Sequence, residues 1–196
     1  MVIPREPHYV KTTWGLRRDY TPTPKHLTKA YLLGVLHDST ERKTTYRISQ
    51  KGEKFVKFIA QGIKNLGRKA WVYREGKERD VYVVEFSKSL LKDFKIKHKQ
   101  DKIDYIRGYF DAEGGITKSI NVRYYIYFCQ KDKKDLQQVK LYLEELGINC
   151  GVIHNPSKKV DPNYWRFYIL ASSWKDFSLK VGSFHPDKLK MFRMKI

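Results

Sequence analysis

The sequence predicts an α+β fold of two pseudo-symmetric halves, each an αββαββα unit with an antiparallel sheet. Three observations carry this. First, Ile103–Gly115 (IDYIRGYFDAEGG) has a partial copy in Ala30–Thr40 (AYLLGVLHDST), with Leu33, Gly34, Val35 and Leu36 at the places of Arg107, Gly108, Tyr109 and Phe110. Second, a strand-like YRISQK (Tyr46–Lys51) follows one copy, and YIYFCQK (Tyr125–Lys131) follows the other. Third, Gln50 and Leu66-Gly67 are spaced like Gln130 and Leu146-Gly147. Each interval has a helical apolar period, with Phe55, Phe58, Ile59, Ile63 and Leu66 in one and Leu136, Val139, Leu143 and Leu146 in the other. Two copies are too few for a solenoid, so a duplicated domain is expected.

In chain order, residues 1–24 carry Pro4, Pro7, Pro22 and Pro24 without a clear period and read as an irregular arm anchored by Trp14 and Leu16, with Arg17 and Arg18 a solvated pair. Residues 25–97 form the first half. Its helix is expected over Lys25–Leu36 with Thr23 as the cap. Alternation over Thr44–Gln50 turns Tyr46 and Ile48 one way and Thr45, Arg47 and Ser49 the other, which makes a half-buried strand. Ala70–Arg74 and Val81–Phe86 make a hairpin whose turn uses Gly76. SKSLLKDF (Ser87–Phe94) has an echo in Ser172–Phe177. A basic link, residues 98–102 within the run Lys92–Lys102, leads to the second half, 103–196. Gly34 to Gln50 is six residues shorter than Gly108 to Gln130, so the first half is expected to lack most of its opening strand. Lys158–Asn163 reads as a hairpin loop, and Ser183–Phe192 as a short closing helix.

Composition narrows the partners. The chain has 196 residues, a formal charge of +19 and a pI near 9.8, and half of its 14% aromatic share is tyrosine, interleaved with Lys and Arg. Such an excess calls for a polyanion, and the aromatics favour nucleic acid over a membrane surface. The chain has no apolar run of membrane-spanning length and no signal-peptide core, so an intracellular, cytoplasmic location is expected. Cys129 and Cys150 lie in apolar strand-like runs without metal-ligand spacing and read as reduced sheet or core residues.

The chemistry concentrates where the repeated helix stops. A helix ending in Asp111 and Glu113 is electrostatically awkward, because the macrodipole already makes that end negative. Carboxylates kept there suit a hard divalent cation, which takes one or two of them plus phosphate oxygens. One copy by itself reads equally well as an ordinary helix end with two solvated acids; the repeat, in which Asp38 ends the other helix, is what tips the balance.

With these residues in hand, the motifs resemble those of the LAGLIDADG homing endonucleases in their single-chain, two-motif form. Ile106–Gly114 (IRGYFDAEG) follows the nine-residue signature with its acid at the eighth place, whereas Leu32–Thr40 (LLGVLHDST) follows it for five places and departs. The resemblance covers the chain from about Lys25 onward. It implies motif helices packed through Gly34 and Gly108, Mg²⁺ or another divalent cation held by Asp38 and Glu113, and double-stranded DNA as the partner of a monomer, with intron RNA as a further candidate. It implies, too, that Gln50, Lys51, Gln130 and Lys131 surround the attacking water or stabilise the transition state; Lys131 belongs to the intact half. Asp111 is expected to cap or pair with a base. His37, beside Asp38, could serve as a ligand, but a lone histidine is more often a capping or surface residue.

The first motif's departure is specific. Its eighth place is Ser39 and its ninth Thr40, so Asp38 falls one residue early. In an α-helix that is a displacement of about 100° and about 1.5 Å, unless the helix end unwinds. The resemblance further implies a saddle whose open sheet faces enter the major groove. Alternation places Arg47 and Ser49 on that face in the first half and Arg123, Tyr125 and Tyr127 in the second, with Arg74, Arg79 and Arg166 as further base readers and Lys77, Lys158 and Lys159 for phosphates. Mg²⁺-dependent cleavage of a long duplex site is the expected activity. The alternative is a DNA- or RNA-binding protein on the same scaffold, such as a maturase or regulator, that does not cleave or that nicks one strand.

Overall fold

A computed structural model describes residues 10–12, 15–17, 26–76, 78–119 and 121–195. Thr23, Lys25, Trp14, Arg18 and Lys77 lie outside the described residues. Within the expected irregular arm, β1 (Val10–Thr12) pairs antiparallel with β2 (Gly15–Arg17), so this stretch contains a small hairpin.

Helix α1 (Lys29–Val35) begins later than the expected Lys25, because Thr28 is its cap: the threonine hydroxyl accepts from the Tyr31 N–H at 3.1 Å. A 3-10 turn, Leu36–Asp38, continues it directly. Then come β3 (Ser39–Glu41), β4 (Thr45–Lys51), α2 (Glu53–Asn65), β5 (Ala70–Arg74) and β6 (Val81–Ser87). The sheet order is β3-β4-β6-β5, all antiparallel. Tyr46, Ile48, Val84 and Phe86 face α2, whose Phe55, Ile59 and Ile63 bury against them. Gly76 makes its turn with φ 73°.

The second half starts at α3 (Lys99–Glu113), so most of the basic link at 98–102 is the first turn of the motif helix and not a linker. The reason is local: the Asp101 carboxylate accepts from the backbone N–H groups of Lys97 and His98, each at 3.0 Å. Then follow β7 (Gly114–Ile116), β8 (Ile126–Gln130), α4 (Lys133–Glu145), β9 (Trp165–Tyr168), α5 (Trp174–Lys180) and α6 (Pro186–Lys195). The strand before β9 is reduced to two bridges, Cys150 with Ile169 and His154 with Arg166, leaving the order β7-β8-β9. The first half does keep its opening strand: β3 and β7 are each three residues long. One missing residue is at the helix end; the turn is six shorter, 42–44 against 117–125, and β4 recovers one by running a residue longer up to its glutamine.

Helices α1 and α3 hold the halves together at backbone distance. A methyl group at Gly34 would lie 2.1 Å from the Tyr105 carbonyl oxygen, and one at Gly108 would lie 2.0 Å from that of Tyr31. Only glycine permits this approach. Thr28 Oγ1 donates to Asp104 at 3.0 Å, and the Tyr31 hydroxyl donates to Asp111 at 2.7 Å across the same seam. Both helices therefore end side by side, and their last residues define the site.

Candidate functional site

Glu113 is the last residue of α3, and Asp38 is the last residue of the 3-10 turn after α1. The missing residue of the first motif is made up by helix winding. From Gly108 to Glu113 an α-helix climbs about 7.5 Å over five steps, and from Gly34 to Asp38 it would climb only about 6 Å over four. Three 3-10 steps of about 2 Å and 120° restore the climb to about 7.5 Å and cut the angular mismatch from about 100° to about 40°. The helix end tightens instead of unwinding. Ser39 does not take the acid's place: its hydroxyl donates to the Leu36 carbonyl at 2.6 Å and closes the turn.

The two carboxylates face matched amides. Gln50 Nε2 donates to Asp38 Oδ2 at 2.8 Å, and the Gln130 side chain lies beside Glu113, where it favours the charged carboxylate. Both glutamines follow the core-facing parity of Ile48 and Phe128 at their strand ends, which is why they turn toward the helix ends. Burial raises the Asp38 carboxyl above its usual range, against the Gln50 bond and the charge of Lys188. Burial and the Asp38 charge together raise Glu113 to about 6, opposed by Gln130 and Lys188. Two acids that oppose each other's ionisation make a place for positive charge. Lys51 and Lys131 are exposed, and the lysine whose charge bears on both acids is Lys188 of α6. Sequence reading placed Lys188 in a closing helix without giving it a role. Its ammonium donates to the carbonyl oxygens of Asp111 at 2.9 Å, Gly114 at 2.7 Å and Phe110.

Asp111 is not part of the open pair. It is buried and accepts from Tyr31, from the Phe184 N–H at 2.8 Å and from the Ser183 hydroxyl. His37 Nε2 lies 2.7 Å from the Tyr105 hydroxyl, and Nδ1 lies 3.5 Å from Asp135, so it bridges the halves instead of capping or facing solvent. Its ring covers Tyr109, whose buried hydroxyl has no hydrogen-bond partner among the described residues.

The donor set is therefore two carboxylates, two amides and nearby carbonyls, all oxygen-rich, and the described residues hold no group of three or more His, Cys, Asp or Glu arranged for a metal. That set fits a hard divalent cation completing its shell with water and phosphate, not zinc. Cys129 and Cys150 are free thiols.

The open sheet faces carry several expected groups. In the second half Tyr125, Tyr127, Arg166 and Tyr168 share one face, opposite Ile126, Phe128 and Phe167. The Arg166 guanidinium stacks 4.5 Å from the Tyr127 ring and donates to the hydroxyls of Tyr164 at 2.7 Å and Tyr168 at 3.2 Å. Arg123 and Lys158 are exposed, as are Lys159 and Arg79. In the first half Arg47 and Ser49 share the open face with Tyr73 and Glu85, and Arg47 is bound to Glu75 at 2.5 Å. Arg74 is a correction: its register groups it with Ala70 and Val72 on the opposite face, where Nε donates to the Arg79 carbonyl at 2.9 Å.

Residues 101–182 match the model of the LAGLIDADG-like domain. The matched stretch lies within the second half, which is thus similar to a LAGLIDADG-like domain. Its motif helix is α3, with Glu113 at the end. The LAGLIDADG fold extends over both halves: I-DmoI in complex with DNA and Mn is 24% identical, with a TM-score of 0.60 over 79% of this chain and 95% of that one. I-DmoI in complex with DNA and Ca gives 21% identity and a TM-score of 0.62 over 85% and 96%. Full-length DUF199/WhiA from Thermatoga maritima gives 16% identity and a TM-score of 0.60 over 83% of this chain and 55% of that one. No curated protein matches the sequence. Among the described residues no helix is long and apolar enough to cross a membrane.

Proposed function

We propose that this protein is a site-specific DNA endonuclease that hydrolyses both strands of a long duplex site with the help of a divalent cation. The observation that carries it is the meeting of Asp38 and Glu113 at the ends of the two packed helices, each with its own glutamine. I-DmoI, which shares this fold, was solved as a complex with DNA in the presence of Mn, Mg or Ca.

Asp38 and Glu113 would hold the cation, which when bound polarises the scissile phosphate and lowers the pKa of a coordinated water. The chain's residues do the rest. Close packing at Gly34 and Gly108 fixes the spacing of the two acids, so that cuts on opposite strands keep a constant offset. Gln50 and Gln130 orient the carboxylates and present amides to a water on either side. The open faces bind the duplex: the tyrosine-held Arg166 reads base edges, while exposed lysines such as Lys158 contact phosphates.

Selection on a randomised duplex library with Mg²⁺ or Mn²⁺, mapping each strand's ends separately, tests this. Paired cuts are expected, lost in Glu113→Gln and in Asp38→Asn with duplex affinity retained within about threefold. Loss of cleavage and binding together would make the acids structural. The second reading, binding with no cut or with a single nick, is favoured by the one-residue deficit of the first motif. Tight binding that weakens by nearly one log unit per log unit of salt for each phosphate contact, without cuts, would establish it.

A further inference from the structure

Negative charge gathers at the end of α3: the carbonyls of its last turn, which no further turn of helix covers, with Asp111, Glu113, and Asp38 from the other motif. Among the described residues the cation held within this group is the half-buried Lys188, whose ammonium donates to Phe110, Asp111 and Gly114. Drawing an ammonium part-way out of water costs free energy that an apolar side chain of the same length would avoid, so its place beside two acids calls for a reason. The position also breaks the pseudo-symmetry. The first half passes from β6 through a 3-10 turn into α3, and only the second half adds a helix like α6. One lysine thus serves both acids at the seam.

We propose that Lys188 is a positioning and charge-balancing residue of the cleavage centre: its ammonium clamps the end of α3 that carries Glu113 and supplies part of the positive charge that the Asp38–Glu113 pair requires before duplex and cation arrive. The inference rests on the carboxylate-pair reading above. It has a two-sided consequence. Removing the charge lets a divalent cation bind the acids more tightly, because a like charge no longer opposes it. Removing the clamp lets Glu113 drift, and cleavage slows. A purely structural lysine would weaken cation binding or leave it unchanged.

The test is Mn²⁺ binding to the full chain without DNA, followed by electron paramagnetic resonance of the free ion, in the wild type, Lys188→Gln, Lys188→Met and Lys188→Arg. The two neutral variants are expected to bind Mn²⁺ at least about threefold more tightly, and Lys188→Arg to stay within about twofold of the wild type. Cleavage by the neutral variants should fall about tenfold or more. A folded Lys188→Gln with wild-type or weaker Mn²⁺ affinity overturns the proposal. Should neither neutral variant fold, Lys188→Arg decides: wild-type affinity and partial cleavage support the charge role, and lost affinity overturns it. If no variant and no wild type binds Mn²⁺, the carboxylate pair itself is misread.

Discussion

The two halves solve one problem with different parts. The first half has four strands and an open face on which cations meet acids: Arg47 binds Glu75, and Glu85 accepts from Thr45 and Tyr73 while Arg42 lies 3.9 Å away. The second half has a three-stranded sheet, and its Arg166 is held by tyrosine rings and hydroxyls with no bonded acid among the described residues. A neutralised arginine gains little from a phosphate or guanine, since it must first leave its carboxylate. Under the proposed function, the second half is the one expected to grip the duplex more tightly, while the first contributes shape. The helix ends differ too: α3 reaches Glu113 as an α-helix, while α1 reaches Asp38 through a 3-10 turn.

What the halves share is their seam, and breaking it gives the largest expected effect. Gly34→Ala and Gly108→Ala each push a methyl group into the other helix's backbone. Each should cost about 2–4 kcal/mol in chemical denaturation, and cleavage should fall with it through displaced acids. A loss below about 1 kcal/mol in both would mean the helices do not touch as described. Next comes the contrast between faces. Arg166→Met should weaken duplex binding about tenfold, measured by fluorescence anisotropy at fixed salt, while Arg47→Met should weaken it no more than about threefold. Equal losses would erase the distinction between the halves.

Much of this was legible in the sequence because a repeat is read by spacing. The Gln50 and Gln130 register located two strand ends, and the apolar period located α2 and α4. The glycines were legible as well, since nothing else explains Gly34 and Gly108 amid bulky neighbours. Arg74 was named as a further base reader on its charge alone, and its register places it with Ala70 and Val72 on the other face. The link at 98–102 was misread because charge outweighed the Asp101 cap as a signal. Lys188 carried no local signal beyond a proline-started helix; its role comes from contacts 74 to 78 residues away in the chain. His37 was read as a cap or surface group because its partners, Tyr105 and Asp135, belong to the other half.

The smallest expected effect concerns the acids in the cation-free protein. Glu113 titrates near 6 when folded, raised from 4.5 by burial and by Asp38. A raised acid is held more comfortably neutral, so its ionisation works against the folded state. The penalty is absent below about pH 4.5, grows as pH rises through 6, and is complete above it. Glu113→Gln cannot ionise and escapes it. Without divalent cations the variant should therefore be more stable than the wild type at pH 7.5, by no more than about 1 kcal/mol after allowance for solvent screening. The difference should vanish near pH 4.5. Adding Mn²⁺ should reverse the order at pH 7.5, since only the wild type gains a full carboxylate pair for the cation. Thermal melts at both pH values, with and without Mn²⁺, check it; a variant less stable than the cation-free wild type at pH 7.5 would mean that Glu113 is held in its charged form by partners, and that the two acids do not oppose each other.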